Sequence, residues 1–310
     1  MVDVAYLFSG QGAQYVGMGK ELYERYPRVQ SLFEKAGSFL PFDLKRLCFE
    51  GPAEELVRTR YSQVAIFVTS YAAYTVLSSY PHPFNVVATA GLSLGEYTSL
   101  AVAETLSFEE ALRAVEARGR FMEEASLQNP GTLVAVLGLS LEEVKALCAE
   151  SGTEVANLNC PGQIVVSGRH EEIASFSEGC LKKGAKRVIP LEVGGPFHSR
   201  WMEGAGEKLE TVLEAFSFQK PKIPFVSNVS ASFEEDPRKI RDNLIHQVSR
   251  TVRWEESIRC LLKQGLTHFV EIGPGQVLKG LLRKIEPQAI VTNLEGPGDL
   301  EGIGLEVGKG

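Results

Sequence analysis

Short apolar runs flanked by glycine alternate along the chain with longer stretches in which apolar residues recur every three to four positions. That alternation predicts an α/β protein with a largely parallel sheet. Residues 4–8, 86–90, 223–227, 268–272 and 289–293 read as strands, with helices between them. One helix is announced by Ser107-Phe-Glu-Glu110, a capping box in which serine and glutamate satisfy each other's free backbone donors. Its apolar positions Phe108, Ala111, Leu112, Val115 and Met122 form one stripe, and Arg118 falls on the same stripe. A guanidinium there must snorkel to the rim or meet a carboxylate, because an unpaired buried charge is costly.

The middle of the chain changes pattern. Residues 132–139 read as a strand, Ser140-Leu-Glu-Glu143 opens a helix to about residue 151, and residues 154–159 and 163–167 are strands joined by Cys160-Pro-Gly162. A helix over 171–183 and a strand over 187–193 complete a β-α-β-β-α-β order, the ferredoxin-like unit. The expected organisation is a small ferredoxin-like domain, 130–195, inserted into a large α/β domain made of 1–129 and 196–310. Gln128-Asn-Pro-Gly131 and Gly194-Gly-Pro196 punctuate the two junctions. The last fifteen residues contain six glycines and read as a frayed tail.

Composition narrows the function. Thirty-two Lys and Arg against 39 Asp and Glu leave a charge of −7, which disfavours nucleic acid as a partner. No apolar run is long enough to span a bilayer, and the first ten residues read as a strand rather than a secretion signal. Five widely spaced cysteines without a Cys-x-x-Cys pair argue against a disulfide framework or a zinc site, and for a reduced, cytoplasmic setting. The basic clusters at Lys182, Lys183, Lys186 and Arg187 and at Arg238, Lys239 and Arg241 read first as solvated faces.

Gly91-Leu-Ser-Leu-Gly95 fits G-x-S-x-G, the strand-to-helix turn that can raise a nucleophilic serine above a sheet; a plain glycine-rich turn fits it equally well. A serine needs a base. Of five histidines, His82 sits in a Pro-flanked turn, His170 opens a helix, and His246 and His268 lie in helix and strand contexts. His198 follows the return from the small domain, where a cleft between domains would favour a site, although a surface role suits a loop histidine as well. Oxyanion donors are also needed: the N–H of Leu94 is one candidate, and the loop Ser9-Gly-Gln-Gly-Ala-Gln14 could bring another. That loop is no dinucleotide fingerprint, since the third glycine position is Tyr15.

Phe8-Ser-Gly-Gln-Gly-Ala-Gln14 with Gly17-Met-Gly19, the elbow followed by Glu96-Tyr97, Arg118-Gly-Arg-Phe-Met122, Ala156 to Gln163, Pro196-Phe-His-Ser199 and Glu271-Ile-Gly-Pro-Gly275 occur in one order. Together they resemble the malonyl-CoA:acyl carrier protein transacylases of bacterial fatty acid synthesis and, more broadly, the acyltransferase domains of fatty acid and polyketide synthases. The resemblance runs from about residue 4 to 285. It implies an α/β-hydrolase-like large domain, Ser93 as malonyl-carrying nucleophile, and His198 as base. It further implies that Arg118 pairs the malonyl carboxylate, that Gln11 and Leu94 give backbone N–H groups to the oxyanion, and that the Gln247 carbonyl orients His198. Malonyl-CoA and acyl carrier protein are the implied partners. No cofactor is implied, coenzyme A entering only within the thioester substrate, and a monomer is compatible with this role. A chain free of synthase linkers points to fatty acid synthesis. Lys182, Lys183, Lys186 and Arg187 are candidates for a basic rim toward an acidic carrier. The chain departs from the family pattern at Leu92, where histidine is usual, at Ser9, where proline is, and at Gly194-Gly195.

Two other classes compete. An esterase or thioesterase could use the same elbow, but needs an acid between serine and histidine in chain order, and most such acids fall in the inserted domain. A noncatalytic scaffold would have lost serine, histidine or arginine, and all three are present.

Overall fold

The computed structural model describes residues 1–303. Its strands are β1 (Val2–Phe8), β2 (Phe84–Gly91), β3 (Gly131–Leu137), β4 (Glu154–Cys160), β5 (Gln163–Arg169), β6 (Arg187–Pro190), β7 (Phe225–Val226), β8 (Phe233–Glu234), β9 (His268–Ile272) and β10 (Ile290–Leu294). They form a six-stranded sheet in the order β10-β9-β1-β2-β7-β8 and a four-stranded sheet in the order β4-β5-β3-β6. The first is parallel except for its edge pair β7–β8, and the second is antiparallel throughout. The architecture is α/β, with a mostly parallel sheet and a separate antiparallel one.

The strand β1 sits inside the large sheet and buries both faces, as central parallel strands do. Its alternate residues Val4, Tyr6 and Phe8 pack toward the helices Thr59–Leu77, Gly95–Val102 and Phe108–Gln128. Ala5 and Leu7 point the other way, into a core with Trp254, Ile258, Phe269, Leu278 and Leu282. The small sheet has its own core, built from Val134, Val136, Ile164, Val166, Val144 and Phe176. Both serine capping boxes form: Ser107 Oγ accepts from Glu110 N at 3.2 Å and Ser140 Oγ from Glu143 N at 3.3 Å, each glutamate bonding back to its serine N–H.

Three expectations need correction. The strand expected over 223–227 shrinks to Phe225–Val226, because Pro224 has no N–H for the ladder and the chain then leaves the sheet to reach the elbow. The strand expected over 187–193 ends at Pro190: Leu191 still donates its N–H to Leu133 O at 2.9 Å, but Val193 N then donates back to Leu191 O at 2.9 Å, so the chain turns off the sheet edge and Leu191 and Val193 line a cavity instead. The expected fraying of the last fifteen residues does not begin at residue 296: Pro297–Gly302 is a helix, held by buried Leu300 and by Arg25 Nη2, 2.7 Å from Glu301 Oε1. The rest of that expectation, 304–310, lies outside the described residues.

Candidate active site

The Gly91–Gly95 turn is dictated by close approach. A Cβ on Gly95 would lie 2.1 Å from the carbonyl oxygen of Phe8, and one on Gly91 1.9 Å from the carbonyl carbon of Gly95. Only glycine lets β2, β1 and the following helix meet this closely. Between them Ser93 takes φ 51°, the left-handed region that a side chain adopts only when its surroundings impose it. Asn228, just beyond β7, holds the turn from outside: its Oδ1 accepts from Ser93 N at 2.6 Å and its Nδ2 donates to Gly91 O at 2.7 Å.

The structure brings Ser93, His198, Arg118 and Gln247 together. His198, also at positive φ, places Nε2 2.9 Å from Ser93 Oγ and Nδ1 2.7 Å from the backbone oxygen of Gln247. A carbonyl only accepts, so Nδ1 carries the proton and Nε2 is left to accept from the serine hydroxyl. Burial, reinforced by the nearby Arg118 charge, lowers the His198 pKa to about 4. The imidazole is therefore neutral at pH 7 and able to take a proton.

Arg118 neither snorkels nor meets a carboxylate: it is 1% exposed, and its partners are neutral amides and a hydroxyl. Nη1 donates to Gln63 Oε1 at 2.7 Å, and Nη2 to Gln247 Oε1 at 2.9 Å and Ser93 Oγ at 3.0 Å. Its Nε finds no partner among the described residues. Burial pulls its pKa below the ordinary value, though a guanidinium keeps its charge in proteins. A fixed cation thus stands beside a serine hydroxyl that a neutral base can deprotonate, an arrangement suited to acyl transfer involving an anionic acyl group.

A cavity of about 180 Å³ opens on these groups. Gln11 lines it beside Ser93, and Gly10 brings that loop so near the elbow that a Cβ would sit 2.5 Å from Leu92 O. Leu94 is buried at the start of the elbow helix. The small sheet supplies the facing wall, including Leu133, Asn157 and Val165. Lys182, Lys183, Lys186 and Arg187 are not among the lining residues, and Lys182 stands exposed 3.7 Å from Glu178.

Sequence reasoning missed Gln63, Asn228 and the place of Glu96. Gln63 had a signal, a lone amide immediately before the apolar run Val64 to Val68 of a mostly buried helix. Glu271, quoted only within a motif, caps the helix Val277–Ile285 through the N–H groups of Leu278 and Lys279 at 2.8 and 2.9 Å.

An α/β scaffold with a strained serine elbow, a neutral histidine and a buried arginine defines a class of acyl-transfer sites. Consistent with it, the sequence matches the acyl transferase domain family over residues 5–290. It is 44% identical to the malonyl CoA-acyl carrier protein transacylase of Bacillus subtilis (strain 168) across 97% of this chain and 96% of that protein. Its identity to the protein of the same name from Salmonella typhimurium is 37%, across 97% and 98%. Among solved structures, a malonyl-transacylase in complex with its type II PKS acyl-carrier protein superposes with TM-score 0.93 at 34% identity, covering 98% of this chain and 99% of that one. The malonyl CoA-acyl carrier protein transacylase from Coxiella burnetii also gives 0.93 at 34%, covering 98% and 97%. The chain belongs to the acyl transferase family, in its malonyl CoA-acyl carrier protein transacylase branch, and is an acyltransferase enzyme.

Proposed function

We propose that this enzyme moves a malonyl group from malonyl-CoA to the phosphopantetheine thiol of acyl carrier protein, supplying fatty acid synthesis, by way of an ester on Ser93. The Ser93 proton passes to His198 Nε2 as Oγ adds to the thioester carbonyl. The N–H groups of Gln11 and Leu94 receive the oxyanion, and the Gln247 carbonyl stabilises the imidazolium through Nδ1. The C–S bond breaks, and coenzyme A leaves as a thiol with the proton held by His198. In the second half His198 takes the carrier's thiol proton, the sulfur attacks the ester, and Ser93 recovers its proton. Coenzyme A enters as part of the substrate, so no cofactor is required.

The observation that carries this reading is Arg118: a buried cation 3.0 Å from the nucleophile and lining the same cavity suits an acyl group that ends in a carboxylate. A hydrolase triad finds less support, since His198 Nδ1 faces a backbone carbonyl rather than an acid. The finer architecture belongs to the same proposal. A ferredoxin-like unit spanning 130–195, inserted into a hydrolase-like domain of 1–129 and 196–310, is supported by the order β3-helix-β4-β5-helix-β6 and by the sheet order β4-β5-β3-β6. Five unpaired cysteines, four of them buried, favour a reducing cytoplasm.

Intact-mass measurement tests the reading. Incubation with malonyl-CoA is expected to add one malonyl group, mapped to Ser93, that persists until the thiol-bearing carrier discharges it. No adduct, or an adduct lost equally fast without the carrier, would overturn it.

A further inference from the structure

Glu96 is a carboxylate with no exposed surface, one position into the elbow helix, and the steps above do not use it. Each of its oxygens serves a different arm of the site. Oε1 accepts the backbone N–H of Asn228 at 2.7 Å, the residue whose side chain clasps Ser93 and Gly91. Oε2 accepts from Gln247 Nε2, which also donates to the Ser93 carbonyl at 2.8 Å. The other face of that amide, Oε1, receives Arg118 Nη2.

We propose that Glu96 is a positioning residue: it fixes the orientation of the Gln247 side-chain amide and, through it, the place of Arg118 beside Ser93. This rests on the reading of Arg118 as the partner of the acyl carboxylate. The logic is one of donors and acceptors. An ionised carboxylate can only accept, so it demands the NH2 end of the amide. Flipping the amide would press its oxygen against Glu96 and the Ser93 carbonyl and its NH2 against the guanidinium, three like-on-like contacts at once. Gln247 alone would be free to turn; Glu96 removes the choice. Arg118, on the facing helix Phe108–Gln128, is the charged group acting on Glu96, and Asn228 and Gln247 supply its hydrogen bonds, with the Ser227 hydroxyl nearby. Burial pushes the Glu96 pKa up to about 7, against those bonds, so the carboxylate form is secured by working at pH 8.

The test compares Glu96→Gln with the parent enzyme at pH 8 by the ratio of kcat/KM for malonyl-CoA to that for acetyl-CoA. Glutamine keeps an acceptor for Asn228 but turns an NH2 toward Gln247, so the amide flips and Arg118 is displaced. The ratio is expected to fall about tenfold, the loss of one charge-assisted hydrogen bond, with the change mostly in KM for malonyl-CoA. The double variant Glu96→Gln with Gln247→Glu restores an acceptor toward Arg118 and a donor toward residue 247 but leaves the Ser93 carbonyl without its donor, so it should recover part of the ratio and not all of it. An unchanged ratio in the folded single variant overturns the proposal. If the single variant does not fold, a folded double variant that still favours malonyl-CoA supports the proposal, and a double variant that does not fold or whose ratio has collapsed overturns it. Arg118→Ala separates the two ideas. If that variant keeps the parental ratio, the carboxylate reading itself has failed; if it loses the ratio while Glu96→Gln keeps it, only the positioning role has.

Discussion

The two halves of the cavity are built differently. On the side of the six-stranded sheet, the polar groups are each held by two or more hydrogen bonds, Ser93 by Asn228, His198 and Arg118, His198 by Ser93 and Gln247, and Arg118 by Gln63, Gln247 and Ser93, with Leu92, Met122, Val277 and Leu281 filling in around them. On the side of the four-stranded sheet the wall is mainly aliphatic, with Leu133, Val165, Leu191 and Val193 beside the amides Asn157, Asn159 and Gln163. One half holds the hydroxyl, the imidazole and the guanidinium; the other shapes the space and offers amides to a substrate. The contrast implies that changes on the first side act on kcat or on the choice between acyl groups, and changes on the second on KM without altering that choice.

The most severe break should come at Gly95. A methyl group there would sit 2.1 Å from the Phe8 carbonyl oxygen, backbone that has nowhere to move inside a buried strand. Gly95→Ala is expected to abolish Ser93 acylation, a loss above about 10³-fold, and to lower the melting temperature; near-normal labelling by malonyl-CoA would mean the elbow is far softer than its geometry. Next in size is Arg118→Ala. Removing a buried charge that pairs a carboxylate should cut malonyl transfer about 10²-fold or more while raising acetyl transfer relative to it, read as the ratio of kcat/KM values. Equal losses for both acyl groups would move Arg118 from selectivity to scaffolding.

The histidine provides a pH test. Burial favours its neutral form, with the pKa lowered to about 4, so the base survives acidification well past the ordinary histidine range. The rate at which an uncharged fluorophosphonate labels Ser93 should hold from pH 8 down to about 5 and reach half near 4, folding being checked by circular dichroism. A midpoint near 6.5 would mean that His198 is hydrated in solution.

How much of this was legible beforehand follows from what kind of signal each feature leaves. Capping boxes at Ser107 and Ser140 are local, and both formed where the spacing put them. The elbow is local too, because its glycines answer to contacts that recur wherever a strand turns so sharply into a helix. Two strands come out shorter than their apolar content suggests, because Pro224 has no N–H for the ladder and because the chain turns back on itself between Leu191 and Val193. Arg118 illustrates the deeper gap. Its position on an apolar stripe was visible, but its partners Gln63 and Gln247 lie 55 and 129 residues away, and only the fold brings amides rather than acids to meet it. Glu96 was likewise in plain view, yet its two arms reach residues more than 130 positions downstream.

The smallest effects should fall on the walls, and they decide whether the contrast is real. Leu191 lies just past β6, its N–H still bonded to Leu133 O, and its side chain lines the cavity without taking part in the hydrogen bonds that hold the reactive groups. Leu191→Ala should raise KM for malonyl-CoA a few-fold, about the value of one partly buried side chain, and leave kcat nearly unchanged. Leu92 is the counterpart on the reactive side: it neighbours the nucleophile, yet its side chain is half-buried against the core around Trp254 and forms part of the lining. The bonds that hold the elbow at this residue are made by its backbone, N–H to Phe8 O and C=O from Gly95 N. Leu92→His keeps both, so acylation of Ser93 should change by less than about threefold, within the range of a tolerated side-chain swap at a cavity edge. A larger rise in kcat would show that the side chain at this position takes part in the proton transfers, and that the reactive half extends one residue further than its hydrogen bonds indicate.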